Sequence, residues 1–369
     1  MDGPGISPPA HVRSGTQDGH EGTANNWSET TRVRQGEERV AKFYYGGQAV
    51  IEGVMMRGRR SAAVAVRQPT GGILLHEEML PKRVYGAKVA TWPFVRGVLL
   101  LWDMLVLGTR MMLFASSVAL PDDETNTGSA DDKSSPTESK PLPTAEPGTV
   151  AETSGALQGV DARLIVTLVF SLTFALALFF LAPLGVVSLV SRWLPNDWSG
   201  LVLEGALRLG LLIGYLWLIG RLSEIQRVFA YHGAEHKSIN AMEAGEPLDV
   251  AHVRAASRVH IRCGTGFLLI VVVVSILVFA VLGNPPMVLR ILSRILLVPV
   301  IAAISYELLR LGAAYYRFRI VRWLMTPSLA LQGLTTREPD DSQIECAIVA
   351  LERVLRTDGV EKLQTQPIA

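Results

Sequence analysis

The sequence predicts a mostly α-helical membrane protein: a four-span helical bundle with a small cytoplasmic β-unit and a C-terminal cytoplasmic helix. Three observations carry this. Hydrophobic residues make up 49% of the 369 and charged residues 19%, and the apolar residues come in long blocks. Blocks at 164–190, 201–222, 265–283 and 288–308 are each close to the roughly 20 residues that cross the hydrocarbon of a bilayer. Basic residues collect beside them on one side. Arg227, Lys237, Arg254, Arg258 and Arg262 lie between the second and third blocks, and Arg310, Arg317, Arg319 and Arg322 follow the fourth. The positive-inside rule therefore puts 223–264 and both termini in the cytoplasm of a multi-pass cell-membrane protein. The opposite connections are short, and Arg290 and Arg294 are expected to snorkel to that side.

In chain order, residues 1–40 are polar and without periodicity, which predicts a disordered tail and no signal peptide. Residues 41–95 read as the β-unit, with strands at 50–57, 61–67 and 73–78 and a turn at Pro69-Thr70-Gly71-Gly72. The glycines around Gly46, Gly47 and Gly53 do not form a dinucleotide fingerprint. The segment 96–120 is apolar, but Arg96, Asp103 and Arg110 recur every seventh residue and would line one helix face. An interfacial amphipathic helix, or one packed against the bundle, fits that pattern better than a lone span. Residues 121–160 are acidic and rich in Ser, Thr and Pro, a flexible linker. The transmembrane domain covers 161–325, and the C-terminal segment 326–369. In that segment Asp340 and Asp341 suit a helix start, Ile344, Ile348, Leu351 and Leu355 share one face, and Gly359 suits the stop.

Composition narrows the partners. The net charge of +1 is uninformative about nucleic acid, but no basic block interleaved with aromatics appears, so no nucleic-acid partner is expected, and membrane lipids are the expected partner. The two cysteines, Cys263 and Cys346, lie far apart, so a disulfide scaffold is not expected and both thiols suit a reducing compartment.

The chemistry concentrates at Tyr231-His232-Gly233-Ala234-Glu235-His236-Lys237. Four of the chain's seven histidines fall within 232–260. On a helix, His232 and His236 stand one turn apart on one face, a spacing that lets two imidazoles bind one divalent metal. Glu235 beside them is a candidate general base. The order H-x-x-E-H inverts the thermolysin-type motif and matches the inverzincin one. A catalytic zinc takes three protein ligands, and Glu307, deep at a span end, is the first candidate for the third. An ion pair with Arg310 is the plainer reading of Glu307. His260 and Cys263 are alternative ligands, although Cys263 also reads simply as a small residue beginning a span. His252 reads as a surface histidine. Gln48 and Glu52 could face the site from the β-unit. Inside the second span, Glu204 and Arg208 at i and i+4 either neutralise each other or line an ion path.

Several stretches together resemble the YqhQ-type family of uncharacterised bacterial membrane proteins, sometimes labelled predicted metal-dependent enzymes. They are Gly46-Gly47-Gln48-Ala49-Val50-Ile51-Glu52-Gly53-Val54-Met55-Met56-Arg57, His232-Gly233-Ala234-Glu235-His236-Lys237, His260-x-Arg262-Cys263-Gly264-Thr265, Ser305-Tyr306-Glu307 and Leu334-Thr335-Thr336-Arg337-Glu338-Pro339-Asp340-Asp341. The resemblance implies a bacterial inner-membrane protein and supplies little chemistry. This chain carries Ile261 where the family pattern leads one to expect proline.

The expected function is a metal-dependent hydrolase at the cytoplasmic membrane face, using a divalent metal, zinc first. His232, His236 and Glu307 are its expected ligands and Glu235 its base. Two other classes compete: a scaffold or transport subunit with a structural His/Cys cluster, and a lipid-headgroup module using Lys237, Arg254, Arg258 and Arg262. The sequence identifies neither substrate nor protein partner.

Overall fold

Five short strands and a series of longer helices make up the computed structural model, which describes residues 44–81, 92–119, 146, 149–154, 162–283 and 285–360. The expected tail at 1–40, most of the expected linker and the Asp103 side chain lie outside the described residues.

The sheet runs in the order β1 (Gly46–Val50), β2 (Gly53–Arg57), β3 (Ser61–Arg67), β4 (Ile73–Met79), β5 (Val150–Ser154). The first four strands are antiparallel neighbours, and β5 lies parallel to β4, with Val150 opposite Ile73. Two details differ from expectation. The stretch expected as one strand at 50–57 breaks into a hairpin, because Val50 pairs with Gly53 across a turn at Ile51 and Glu52. Glu52 there has φ 54°, a left-handed conformation that a glutamate adopts only when its surroundings hold it. And β5 comes from the segment expected to be linker: it completes the free edge of β4 with backbone hydrogen bonds that need no apolar side chains. The turn at 68–72 forms as expected, with Gly71 at φ 92°.

β3 is buried along six consecutive residues, as a strand covered on both faces must be. Helix α1 (Val95–Ala119) covers one face. Its Leu107, Met111, Phe114, Ala115 and Val118 pack with Val50, Met55, Ala62, Val64, Val66 and Leu74. Its two described charges meet protein partners: Arg110 pairs with Glu78 at 2.7 Å and Arg96 with Glu307. So α1 is long and apolar enough to cross a membrane, yet its C-terminal half is bound to the sheet.

Next come α2 (Ala162–Leu176), a π-helical turn (Ala177–Leu181), α3 (Ala182–Val190), α4 (Asp197–Ile219), α5 (Ser223–Ala244), α6 (Val250–Ala255) and α7 (Gly264–Leu282). They lead into α8 (Met287–Leu296), α9 (Val298–Ala314), α10 (Arg319–Thr335) and α11 (Asp341–Asp358). Among the described residues, four helices are long and apolar enough to cross a membrane, at Val95–Ala119, Val169–Trp193, Trp198–Ile219 and Gly264–Leu282. The block expected as a fourth span at 288–308 is apolar enough to cross as a pair but is not one straight helix: α8 and α9 meet at 46°, and Pro299 in the first turn of α9 cannot continue α8's hydrogen bonding. Arg294, expected to snorkel outward, is fully buried and bound to Glu204, because the charged face of α8 turns toward α4.

Helix α11 covers the second face of the sheet. It begins with the expected cap, a reciprocal Asp340–Gln343 capping box, and ends at Gly359 with φ 78°. At its far end the Asp358 carboxylate accepts hydrogen bonds from the Arg59 and Arg60 amides at 2.7 and 2.9 Å and from the Tyr45 hydroxyl at 3.1 Å. These contacts, with Arg353 to Glu77 at 2.7 Å, fix the sheet against α11, which in turn packs on α5.

Candidate metal centre

Helix α5 carries the His/Glu motif and is not among the helices apolar enough to cross a membrane. It is polar on average, and residues 230–239 are almost all buried between the sheet, α11 and the segment that follows α10. Gly233 permits the closest of these approaches. A Cβ there would overlap the Arg337 carbonyl, and the Arg337 amide donates to the Phe229 carbonyl at 2.9 Å. The chain leaving α10 therefore lies directly on α5 beside His232.

That crossing orients the histidines. His232 Nδ1 lies 2.9 Å from the Thr335 carbonyl oxygen and His236 Nδ1 2.6 Å from that of Arg258. A carbonyl can only accept, so both rings carry a proton on Nδ1, and in the neutral ring the lone pair is then on Nε2. This is the arrangement in which a backbone carbonyl behind the ring fixes the tautomer of a metal-binding histidine. Cys263, at the N-cap of α7, places its Sγ 3.4 Å from His232 Nε2, and the Thr265 amide donates to the same sulfur at 3.3 Å. The ligand atoms of His232, His236 and Cys263 all lie within 4.8 Å of one another. Around a tetrahedral zinc the N···S edge is about 3.5 Å, given bonds of about 2.0 and 2.3 Å. The donor set and the 3.4 Å edge between His232 and Cys263 suit such an ion.

The third converging group is thus Cys263 and not Glu307. Glu307 is held elsewhere: its carboxylate accepts from Arg96 Nε at 2.8 Å and from the Phe94 amide at 3.1 Å, and Arg96 Nη2 completes a bidentate pair. Its partner is Arg96 rather than the Arg310 that sequence spacing offered. His260 stands behind the cluster, its ring 5.7 Å from that of His236. Gln332 brackets its backbone, accepting from the His260 amide at 3.0 Å and donating to its carbonyl at 2.8 Å. Burial holds the His260 imidazole below its ordinary pKa, and Glu243, whose carboxylate lies 3.7 Å from Nε2, opposes that. His252 sits half exposed on Asp249, as expected of a surface histidine.

Glu235 is buried on the sheet side of α5. The Gly47 amide donates to it, and a Cβ at Gly47 would reach 3.1 Å from Glu235 Cγ while overlapping the Met55 carbonyl. Gly47 is therefore what lets β1 close over the carboxyl. Burial pushes the Glu235 carboxyl above the ordinary range, and His232 and the Gly47 amide pull it back. Glu52 reaches α5 itself, in a bidentate pair with Arg227 (Nη2–Oε2 2.6 Å) and a 3.3 Å hydrogen bond from the Tyr231 hydroxyl. Gln48 points at Gly108 of α1. Both join the β-unit to helices, and neither belongs to the converging group.

Lys237 has a role that the sequence did not announce. Its buried ammonium donates to the Arg254 and Ala256 carbonyls at 2.8 and 3.0 Å and pairs with Glu338 at 2.7 Å. It thereby holds the loop that offers the Arg258 carbonyl to His236. With Arg254 on Asp341 and Arg262 on Glu243, three of the four cations of the lipid-headgroup reading are engaged within the protein. Thr335, Arg258 and Gln332 were also missed. They act through backbone atoms or across long loops, and the run Leu334-Thr335-Thr336-Arg337-Glu338 was the one hint.

Residues 92–357 match a protein family described as protein of unknown function, DUF1385. The chain is 32% identical over 327 residues to the uncharacterized protein YqhQ of Bacillus subtilis (strain 168), an alignment covering 88% of this chain and 96% of that protein. No solved structure matches.

Proposed function

The chain belongs to the DUF1385 family, and from that premise we propose that it is a membrane-attached, metal-dependent hydrolase whose metal is held by His232, His236 and Cys263. The observation that carries the reading is the convergence of two carbonyl-oriented imidazoles and a thiol on one point. Three protein ligands are the catalytic complement for zinc, whereas structural sites close with four. A divalent metal bound there supplies Lewis acidity toward a substrate oxygen. The chain's own residues do the rest. Thr335 and Arg258 hold the rings in register, β1 and the Gly47 amide shield the Glu235 carboxyl, and Glu235 can take up and return a proton as general base and acid. Lys237 fixes the loop behind His236.

A second reading is supported by the burial of His236 and Cys263, 1% and 5% exposed: a structural staple joining α5 to α7. The two are separated by one variant. Detergent-purified protein should carry about one zinc or similar ion per chain under either reading. In the enzyme, Glu235→Gln keeps the ion and fails to complement a deletion strain. In the staple, the same variant complements. Wild-type protein that is folded, active in cells and free of metal sinks both.

We further propose that the centre faces the cytoplasm, because Arg and Lys crowd its side of the apolar helices. The middle of α5 and the end of α10 meet at the same cluster, through His232 and Thr335. Reporter fusions after 245 and after 335 should therefore both report cytoplasm. A pair reporting opposite faces would overturn the packing itself, and a pair reporting the outer face would overturn only the orientation.

A further inference from the structure

Among the described residues, the charges buried between the apolar helices do not balance. Glu204 and Arg208 on α4 are each 2% exposed, and Arg294 on α8 is 0% exposed. The single carboxylate serves both arginines: Arg208 Nη2 donates to Oε1, and Arg294 donates through Nε and Nη2, each at 3.2 Å. Arg290, one turn before Arg294, adds a third guanidinium to the same helix. Arg208 Nε and Arg290 Nε are buried donors without a hydrogen-bond partner among the described residues. Phe279 lies beneath two of the guanidiniums, 3.8 Å from Arg294 and 4.9 Å from Arg208. An aromatic face softens the burial of a cation but does not neutralise it.

The surroundings are irregular at the same place. The π-helical turn Ala177–Leu181 brings Phe180 to 5.6 Å from Arg208. The α8–α9 pair bends by 46° just after Arg294. π-turns and broken helices collect at functional sites, and ionisable groups in apolar spans mark them too. The cluster is not part of the metal centre: Phe279 lies about 24 Å along α7 from Cys263, at about 1.5 Å per residue. Nor does it suit a proton path, because its one carboxylate is clamped by two permanently charged guanidiniums.

We propose that Glu204, Arg208, Arg290 and Arg294 form a binding site for a phosphate group, belonging either to a phospholipid or to a phosphate-bearing solute. Glu204 cancels one of the arginine charges and leaves the rest without a counter-ion among the described residues. A phosphate supplies both the missing negative charge and acceptor oxygens for the unused N–H donors, the pairing for which guanidinium is best shaped.

The test uses the full chain. Arg208→Gln is the informative variant, because it removes an unpartnered donor while leaving Glu204 paired one to one with Arg294, so the helices keep a balanced pair. In one arm, protein is extracted from nanodiscs of equal phosphatidylglycerol and phosphatidylcholine, and retained phospholipid per chain is counted. In the other, delipidated protein in detergent is titrated with inorganic phosphate. Wild type should retain anionic lipid, or bind phosphate, at least tenfold better than Arg208→Gln, with Arg290→Gln in between. Retention in the lipid arm alone identifies a headgroup as the source, and binding in the phosphate arm alone a solute. Should Arg208→Gln fail to fold, Arg290→Gln against wild type decides by the same readouts. Equal retention and equal binding in wild type and the folded variant overturn the proposal and leave the cluster a structural ion network.

Discussion

Cys263→Ala is expected to weaken metal binding by more than roughly a hundredfold, while Glu307→Gln leaves it unchanged. Replacing a supporting partner of a metal ligand costs about ten- to a hundredfold in affinity, and loss of a ligand costs more. Cys263 Sγ lies 3.4 Å from His232 Nε2. Glu307 answers to Arg96 and the Phe94 amide. Its replacement breaks charge-assisted hydrogen bonds between α1 and α9, about 1.5–3 kcal/mol of stability. The two variants therefore move different observables. With cobalt in place of zinc, wild type and Glu307→Gln should show the near-ultraviolet sulfur-to-metal charge-transfer band and Cys263→Ala should not. Glu307→Gln should lower the thermal midpoint. If instead Glu307→Gln sheds the ion and Cys263→Ala keeps it, the carboxylate is the third ligand and the site must rearrange when metal binds.

The sequence made the local features of this centre readable and left the distant ones hidden. His232 and His236 share a face because both sit on one regular helix, and α11 has its ends where Asp340 and Gly359 put them. The choice between Glu307 and Cys263 could not be read, because it depends on which helix ends meet. Spacing offered Arg310 as the partner of Glu307, yet Arg96, 211 residues away in sequence, takes it. The same limit explains Arg294. An arginine near the end of an apolar stretch can snorkel at little cost, and only the presence of Glu204 on another helix makes burial the better outcome.

In the β-unit the misses are of another kind. Ile51-Glu52 lacks the Gly, Asn or Asp that announces a tight hairpin, and Glu52 adopts its positive φ because Arg227 and Tyr231 hold its carboxylate. β5 is polar and arises from a stretch of linker composition. Its place is set by the free edge of β4, a template that exists only after the other strands have assembled.

Gly233→Ala should destabilise the protein by about 1–3 kcal/mol or more, with Gly233→Val worse, although alanine is ordinarily the better helix residue by about 1 kcal/mol. The sign reverses because the added Cβ would overlap the Arg337 carbonyl, which is backbone and cannot rotate aside. Either α5 or the 335–339 segment must move. Both hold the centre, since His232 is on one and the Thr335 carbonyl behind it is on the other. Metal content should thus fall together with the thermal midpoint. Gly333→Ala, inside α10 with nothing within 4 Å of the new methyl group, is the control and should be neutral or stabilising by up to about 1 kcal/mol. Thermal unfolding and metal analysis of both variants decide the matter. If Gly233→Ala behaves like the control, α5 and the chain after α10 are not in contact, and the Thr335 carbonyl cannot be what fixes His232.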